Sequence, residues 1–485
     1  MLLLSSRALI RLPSFALVWA VLGILLLPVA EARADGDGLV REEVSFAGGD
    51  GLTLHGTVLA SATAPGKRPG IVLVGGSGPG PREEYRQEAE AFARAGVTTL
   101  VFDKRTVRYS TTHRDFGLLA DDALAGVRLL RGRGGVDPHH VGLWGFSEGG
   151  WVAPLAATRS SDVAFVITIG GPGHSPLRTQ AWNLSTHLRH RGVTGFFPDT
   201  VAGPAARLIA SIGAFPAADH DPLPVLERLR HTPVLALWGR HDTQVPPQES
   251  AQIFQRALAG AGNEHAVIGF VAGAAHNGHR TSDGFDRLGG PLYHGKPLGA
   301  LAPGYADTMT SWVNEVAADH PPISHAAPAP PQAVTSTPIP QGQYAWLAPA
   351  LLLLGFAIHP AVGALRRIAR RPRTRTRTRT IRSTILLRWL TVLGIIEVSG
   401  ALLCPLAVFA AGDATATPVV AGSPAIWLLL KALAIGLLAL AATTAATAWR
   451  ERQALGRTLR LQTLTALTAT AGFALWAPWW GLLRP

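Results

Sequence analysis

The chain has 485 residues, of which 47% are hydrophobic and only 16% are charged, and its formal net charge is +12. This length exceeds that of an ordinary single domain, and the apolar composition indicates that part of the chain lies in lipid. Residues 35–320 carry 25 basic and 28 acidic side chains, so the remainder carries 44 − 25 = 19 basic and 32 − 28 = 4 acidic ones. A basic excess outside the large globular segment points to membrane topology and argues against a nucleic-acid partner.

Residues 1–34 have the pattern of a signal peptide. Arg7 and Arg11 precede an apolar run, and Ala32-Arg33-Ala34 supplies a small-x-small cleavage pattern. The alternative is an uncleaved anchor helix, although the apolar run is shorter than the roughly 20 residues that cross a bilayer comfortably. Both interpretations send the following domain across the membrane.

Residues 35–320 alternate short β-rich runs with longer amphipathic stretches, which is typical of an α/β domain with a mostly parallel sheet flanked by helices. Predicted buried strands lie at 70–74, 98–102, 141–144, 165–169 and 234–238. Open α/β sheets bind their ligands at the carboxyl ends of such strands. The alternating pattern of strands is interrupted over residues 171–230, which predicts a helical cap above that edge of the sheet.

The rest of the chain reads as a linker and an all-α transmembrane bundle. Residues 321–343 contain seven prolines and predict an extended spacer. Within residues 344–485, four apolar stretches are each long enough to cross a bilayer as a helix; they lie at about 344–365, 383–411, 424–448 and 461–482.

The arginines predict the orientation of this bundle. The loop 366–382 carries nine arginines and the loop 450–460 carries four, whereas the loop 412–422 carries none. The positive-inside rule then puts both basic loops in the cytoplasm and the α/β domain outside it. The Arg-Thr repeat within the first loop could instead bind nucleic acid or anionic lipid. We predict a multi-pass cell-membrane protein with an extracytoplasmic α/β domain.

The strongest chemical signal is Gly145-Phe146-Ser147-Glu148-Gly149-Gly150, which follows a predicted strand and precedes a helix-compatible run. A serine on such a strand-to-helix turn has its Oγ exposed at the top of the sheet, and the flanking glycines avoid collisions with neighbouring backbone. We therefore predict that Ser147 is a nucleophile. The alternative is an ordinary glycine-rich turn between a strand and a helix.

An acid and a histidine follow Ser147 in the chain order expected of a catalytic triad on this kind of sheet. Asp242 comes directly after the predicted strand 234–238, and His276 lies on a loop of small residues after a further strand near 266–271. Their positions predict that Asp242 orients His276.

In the predicted mechanism, neutral His276 takes the proton of Ser147, and Asp242 holds the histidine tautomer and stabilises the imidazolium. His279 is the rival for the base. His265 is a weaker rival because it precedes the last core strand.

Two segments are expected to supply the backbone N–H groups of an oxyanion hole. The N–H of Glu148 follows the nucleophile, and the glycine-rich segment 75–80 follows the predicted strand 70–74. We assign the second donor to the N–H of Ser77. The glycine run lacks the Gly-Lys-Ser/Thr ending of a nucleotide-binding loop, so we do not interpret it as a phosphate site.

Taken together, residues 39–320 resemble the α/β-hydrolase superfamily, particularly the branch of dienelactone hydrolases, acyl thioesterases and serine aminopeptidase-like enzymes. The resemblance rests on Asp50-Gly-Leu-Thr-Leu-His55-Gly56, the segment 75–80, Asp103-Lys-Arg105, Val136-Asp137-Pro138, the segment 145–150, Asp242-Thr-Gln-Val-Pro246 and His276. It departs from the family pattern in two places: the loop that commonly begins His-Gly starts here with Gly75-Gly76, and the usual Asp-x-Arg-Gly-x-Gly-x-Ser is replaced in segment 103–110 by Asp103-Lys-Arg105-Thr106-Val-Arg108-Tyr-Ser110. The resemblance implies an α/β-hydrolase fold and a serine hydrolase of esters, thioesters or short peptides.

Two function classes follow from these patterns. The first is an extracytoplasmic, membrane-tethered serine hydrolase with a small-molecule acyl substrate, a lipid bilayer around its tail and no cofactor or metal, since no His, Cys, Asp and Glu ligand set is clustered in the sequence. The alternative is a non-catalytic membrane sensor or transporter-like protein that keeps the domain for binding. The substrate stays open, because the predicted cap combines aromatic residues with a histidine: Trp182, Phe196, Phe197 and His187.

One acidic residue of the tail stands out. Glu397 lies well inside a predicted span, where a charge is costly and therefore a candidate for function. Lys431 in the next span is a candidate partner, and a structural polar contact within the bundle is the alternative role.

Overall fold

The structure is a computed structural model that describes residues 33–34, 37–110, 112–293, 295–339, 344–368, 382–411 and 418–484. The predicted signal peptide lies outside the described residues except for its last two positions. The Arg-Thr repeat, within residues 369–381, also lies outside them.

Within the described residues, the strands are β1 (Arg33–Ala34), β2 (Leu39–Ala47), β3 (Thr53–Ser61), β4 (Arg68–Val74), β5 (Thr98–Phe102), β6 (Val136–Phe146), β7 (Val166–Ile169), β8 (Val234–Gly239), β9 (Ala266–Val271), β10 (Leu292–Tyr293), β11 (Lys296–Pro297), β12 (His325–Ala326), β13 (Val419–Val420) and β14 (Ser423–Pro424). Ten of them form one sheet in the order β1-β2-β3-β5-β4-β6-β7-β8-β9-β12. Pairs from β1 to β5 along this order are antiparallel, and pairs from β5 to β12 are parallel.

The α-helices of the described residues are α1 (Arg86–Arg94), α2 (Phe116–Arg131), α3 (Gly149–Ala157), α4 (Pro176–His190), α5 (Phe197–Thr200), α6 (Ala206–Ser211), α7 (Leu223–Leu226), α8 (Pro247–Gly260), α9 (Tyr305–Ala317), α10 (Leu347–Ile368), α11 (Arg382–Ala411), α12 (Ala425–Arg450) and α13 (Arg457–Trp480). A 3-10 turn at Arg82–Tyr85 precedes α1, and a π-helical turn at Val201–Ala205 joins α5 to α6.

Helices cover both faces of the sheet because the central strands are apolar on both faces. Ile71 and Leu73 of β4 lie in one buried cluster with α1 and α9, whereas Val72 and Val74 lie in another with α2 and α3. This alternation follows from the two-residue period of a strand. The fold-class prediction, an α/β-hydrolase sheet followed by an all-α bundle, is confirmed. The antiparallel strands β2 and β3 were not located by sequence analysis.

Between β7 and β8 the chain forms the helices α4–α7, of which α4 is the longest, and we call residues 171–230 the cap. Pro176 begins α4 at a position that needs no backbone N–H donor. The cap emerges after β7 and returns to the sheet at β8, so it lies beside the carboxyl ends of the parallel strands.

Residues 321–339 are extended, as their prolines require, but they are bound to the domain along their length. We call this segment the strap. Its β12 pairs with the edge of β9, and the Trp182 Nε1–H donates to the Val334 carbonyl at 2.8 Å. Farther along, Ser336 donates its backbone N–H to Glu249 at 2.8 Å. The linker is therefore part of the folded domain, where sequence analysis expected a spacer.

Helices α10–α13 form the bundle. Among the described residues, three helical segments are long and apolar enough to cross a membrane: Leu347–Leu365, Arg382–Ala411 and Ala425–Arg450. The fourth apolar stretch forms α13, which packs against α10, where Gly355 lies on Ala469.

The acidic residue in this bundle is buried without a partner. Glu397 is fully buried, and its carboxylate oxygens have no hydrogen-bond partner in the part of the chain that the structure describes. Lys431 instead donates to the Arg484 carbonyl at 2.6 Å. The pairing of Glu397 with Lys431 that sequence analysis considered is therefore not formed.

Candidate active site

Ser147 stands on a sharp turn between β6 and α3. Its φ of +53° lies in the left-handed region that non-glycine residues rarely occupy. The backbone is held there because the Ser147 N–H donates to the Ile169 carbonyl at 2.8 Å. A Cβ on Gly145 would collide with the backbone of Gly149, and a Cβ on Gly149 would collide with the Val74 carbonyl. The flanking glycines are therefore required by the turn, which is the geometry of a nucleophile elbow.

Asp242 and His276 meet at the carboxyl edge of the sheet. The His276 Nδ1 lies 2.8 Å from Asp242 Oδ2, and both side chains are buried. The other carboxylate oxygen of Asp242 accepts the backbone N–H groups of Gln244 and Val245, each at 2.9 Å. Because a carboxylate accepts, the ring donates from Nδ1, and in the neutral tautomer the lone pair is then on Nε2.

That second ring nitrogen is positioned to act as a base. His276 Nε2 is buried and has no hydrogen-bond partner among the described residues. Ser147 and His276 line the same cavity, and Phe146 packs against the imidazole at 5.0 Å between ring centroids. The structure thus brings together the three residues that the sequence assigned to catalysis.

The two rival histidines are engaged elsewhere. His279 uses both ring nitrogens, since Nδ1 lies 2.8 Å from the Leu298 carbonyl and Nε2 lies 2.8 Å from Glu88 Oε1. Burial opposes the charge on His279, but the hydrogen bond and charge of Glu88 outweigh it and raise the pKa of His279. His265 contacts the Pro322 carbonyl in the strap at 3.2 Å. His279 also lines the cavity of Ser147 and His276, but both of its ring nitrogens have partners other than Asp242.

The oxyanion loop, residues 75–80, is held by two tyrosines. The Gly76 N–H donates to the Tyr85 hydroxyl at 2.8 Å, and the Gly78 N–H donates to the Tyr109 hydroxyl at 2.9 Å. Between them, the Ser77 N–H has no protein acceptor among the described residues. The N–H groups of Gly76 and Gly78 on either side of it are thus occupied, and Ser77 lines the cavity, so its role as an oxyanion donor stays a prediction.

The second predicted donor belongs to a residue with a buried, charged side chain. Glu148 Oε1 accepts from the Tyr109 hydroxyl at 2.7 Å and forms an ion pair with Lys104. Lys104 also donates to the Gly76 carbonyl at 2.5 Å. Arg114 lies 3.4 Å from Glu148 Oε2. This network joins the nucleophile elbow to the oxyanion loop.

The environment of the network fixes its protonation states. Burial raises the pKa of Tyr109, and the Glu148 carboxylate raises it further, so the phenol stays neutral and donates. Burial lowers the pKa of Lys104, whereas the charge of Glu148 opposes this shift. Sequence analysis missed Tyr85, Tyr109 and Lys104 as functional residues. Two of these residues, Lys104 and Tyr109, lie in segment 103–110, whose departure from the family pattern could have pointed to them.

The site opens into a cavity of about 640 Å³. Ser147, Ser77 and His276 line one part of it, and His187 of α4 lines another. The loop after His279 forms a further part of the wall with Phe285, Arg280, Arg287, Tyr293, Lys296 and Leu298, and Glu84, Tyr85, Glu88 and His279 also line the cavity. A larger cleft of about 850 Å³ lies between the cap and α8, but none of the predicted site residues lines it.

Most of the cap residues considered as substrate contacts face away from this cavity. The Trp182 indole binds the strap, and the Phe197 ring packs on Trp427 of the bundle at 4.9 Å. The Arg484 guanidinium lies 4.5 Å from the Phe196 ring. Of the four cap residues singled out from the sequence, His187 alone lines the cavity.

Comparison with known proteins is consistent with this geometry. Residues 117–288, which include the predicted Ser147, Asp242 and His276, match the model of the prolyl oligopeptidase family. A thiohydrolase of Arthrinium phaeospermum is 33% identical over 134 residues, which are 27% of this chain and 43% of that protein. An uncharacterized protein of Mycobacterium tuberculosis is 27% identical over 237 residues, or 48% of this chain and 72% of that protein. The chain thus spans less than half the length of the thiohydrolase.

Solved structures with similar folds include a dienelactone hydrolase from Anabaena variabilis, which is 18% identical with a TM-score of 0.35 and covers 58% of this chain and 98% of that one. The structure of DcsB with its substrate analogue is 20% identical with a TM-score of 0.40, covering 57% and 98% respectively. The match of residues 117–288 to the prolyl oligopeptidase family supports the predicted hydrolase class.

Proposed function

We propose that the protein is a membrane-tethered serine hydrolase that cleaves carboxylic ester, thioester or short peptide bonds through an acyl-enzyme on Ser147. One arrangement carries this proposal. A serine on a left-handed strand-to-helix turn shares a cavity with a histidine that lies 2.8 Å from a buried carboxylate.

The chemistry follows from the positions of these groups. Ser147 Oγ attacks the carbonyl carbon while its proton passes to His276 Nε2, and Asp242 stabilises the resulting imidazolium. The N–H groups of Ser77 and Glu148 bind the oxyanion. The leaving group then takes the proton from His276, which leaves an acyl group on Ser147. Water, activated by the same histidine, releases the acid. The contact between Ser147 and His276 closes in the substrate complex, as is common for such pairs.

The substrate classes have separate support. A thioester or ester fits the thiohydrolase relative, and a short peptide fits the prolyl oligopeptidase family. The cavity wall combines apolar side chains at Phe285 and Leu298 with cations at Arg280 and Arg287 and carboxylates at Glu84, Glu88 and Asp286, so it suits a substrate with both apolar and polar parts.

The location of the domain is supported by its contacts with the bundle. The cap binds the loop between α11 and α12 and the carboxyl end of α13. Arg382, Arg450 and Arg457, which are described residues of the two basic segments, lie at or near the opposite ends of α11, α12 and α13. With those arginines on the cytoplasmic side, the domain lies outside the cytoplasm.

The activity is tested with full-length protein in membranes, because the cap is packed against the bundle. A fluorophosphonate probe should label the natural protein and Ser161→Ala, which removes an exposed hydroxyl, and should not label Ser147→Ala. A folded natural protein that never labels contradicts the proposal and favours the non-catalytic sensor.

The location is tested with single cysteines in a Cys404→Ala background. A membrane-impermeant maleimide applied to intact cells should label Ser161→Cys but not Thr376→Cys, which should react only after permeabilisation. The opposite pattern would place the hydrolase domain in the cytoplasm while leaving its activity in place.

A further inference from the structure

The cap shares a hydrophobic core with the membrane bundle. One buried cluster joins residues of α10–α13 to cap residues Leu184, Leu188, Val193, Phe197, Val201, Ala205 and Leu208. At its centre, the rings of Phe197 and Trp427 lie 4.9 Å apart. Separating the cap from the bundle would expose this apolar surface, so the two parts are held in one arrangement.

Polar contacts fix that arrangement at two points. The Thr194 N–H donates to the Gly422 carbonyl at 2.7 Å, in the loop between α11 and α12. The Thr200 hydroxyl donates to the Trp480 carbonyl at 2.9 Å, at the end of α13. Both carbonyls belong to backbone outside regular helical bonding, so the cap satisfies groups that the ends of the bundle leave open.

Two glycines of the bundle are shaped to the cap. Gly422 has a φ of +72° and Gly481 a φ of +89°, which favour glycine. A Cβ on Gly422 would collide with Thr194, and a Cβ on Gly481 would collide with Phe196 and Thr200. Each glycine therefore meets a conformational and a steric requirement at the point where bundle and cap touch.

The same cap reaches the active-site cavity through α4. His187 lines the cavity with its ring 4.9 Å from that of Phe285, and the Asn183 amide donates to the Thr243 carbonyl at 3.3 Å. Leu184 and Leu188 of this helix lie in the core shared with the bundle. A displacement of the cap at the bundle thus moves the wall that His187 forms.

We propose that the membrane bundle determines the substrate selectivity of the Ser147 site by fixing the position of α4, with Gly422 and Gly481 as positioning residues. The property selected is the size of the substrate group that lies against His187. This inference rests on the proposed hydrolase function and adds to it a role for the tail beyond anchoring.

The test uses full-length protein in detergent and p-nitrophenyl esters of acetate and octanoate. A methyl group at Gly481 or Gly422 pushes the cap away from the bundle and towards the cavity. The octanoate-to-acetate ratio of kcat/KM should fall about 5- to 10-fold in Gly481→Ala and Gly422→Ala. Acetate hydrolysis and fluorophosphonate labelling should change by less than about twofold, as expected when the reacting groups keep their geometry. Gly436→Ala, at an open position of α12, is the matched control.

A double variant separates positioning from general instability. His187→Ala trims the displaced wall, so Gly481→Ala combined with His187→Ala should recover the natural ratio to within about twofold. A loss of folded protein would instead lower both esters together and would not be rescued.

Unchanged ratios in folded Gly481→Ala and Gly422→Ala would overturn the inference. If neither variant folds, Phe197→Leu weakens the same interface, and an unchanged ratio there overturns it as well. These failures differ from failure of the proposed function, in which the natural protein hydrolyses neither ester and Ser147 is not labelled; that result removes both proposals.

Discussion

The two sides of the active-site cavity are built in different ways. On the sheet side, Ser147, Asp242 and His276 each follow a strand, and parallel strands bring their carboxyl ends to one edge. On the cap side, the wall depends on contacts between residues 228 and 280 positions apart, from Thr194 to Gly422 and from Thr200 to Trp480. The predicted reacting groups thus lie on local turns, whereas the cap beside them contacts residues more than 200 positions farther along the chain.

The largest expected effect belongs to the sheet side. Asp242→Asn keeps the size of the side chain but no longer holds His276 with Nε2 free to accept, so kcat should fall about 10⁴-fold. The measurement is p-nitrophenyl acetate hydrolysis by full-length protein. Asp283→Asn, on an exposed loop, is the control and should stay within about twofold. A loss of less than about tenfold in Asp242→Asn would remove the triad from the mechanism.

The next effect concerns the cap side and appears in stability. Phe197→Ala leaves a cavity against Trp427 in the shared core and should lower the free energy of unfolding by about 3–5 kcal/mol. The melting temperature of the detergent-solubilised protein reports this change. Leu292→Ala removes a side chain that is 72% exposed and should leave the melting temperature unchanged. Equal melting of the two variants would mean that cap and bundle do not share a core.

A smaller effect sharpens the account of the sheet side. Tyr109→Phe removes the hydroxyl that accepts the Gly78 N–H and donates to Glu148. The oxyanion loop then loses one of its two supports, and kcat should fall about tenfold with KM nearly unchanged, less than the 10²- to 10³-fold cost of deleting a donor itself. Tyr344→Phe, an exposed tyrosine far from the site, is the control. A rise in KM at constant kcat would assign Tyr109 to substrate binding.

The smallest effect is a pH dependence. The pKa of His279 is raised in the folded protein by Glu88, so the pair stabilises the fold fully below the ordinary histidine pKa of 6.5. That stabilisation is lost as the pH rises through the raised folded-state pKa. The melting-temperature difference between the natural protein and His279→Gln should therefore be largest in mild acid and shrink in alkali. If this melting-temperature difference instead grows as the pH rises, His279 stabilises the fold in its neutral form and not through an ion pair with Glu88.

Sequence reasoning went furthest where chemistry is local. The predicted strands at 70–74, 98–102 and 234–238 all lie within observed strands, because short apolar runs bounded by turn residues have few alternatives. The glycines around Ser147 likewise encode one turn. The roles of Ser147, Asp242 and His276 stay predictions, but their meeting place follows from the fold.

The sequence could not identify contacts that depend on distant partners. Tyr85 and Tyr109 bind backbone N–H groups through phenol hydroxyls, and no spacing marks such a bond. Trp182 and Phe197 are apolar enough to line a pocket, yet they pack on the strap and the bundle. Periodicity shows that a side chain is buried but does not show which neighbour buries it.

The strap has a consequence for how the domain behaves when handled alone. β12 pairs with Val267 and Ile268 and so covers part of the edge of β9, and the bundle covers the apolar face of the cap. A chain cut at residue 320 would present an open strand edge and an uncovered apolar surface, which are the two features that promote aggregation. The segment with the appearance of a soluble enzyme is therefore not the unit that stays soluble, and residues beyond 320 act as its solubility determinant.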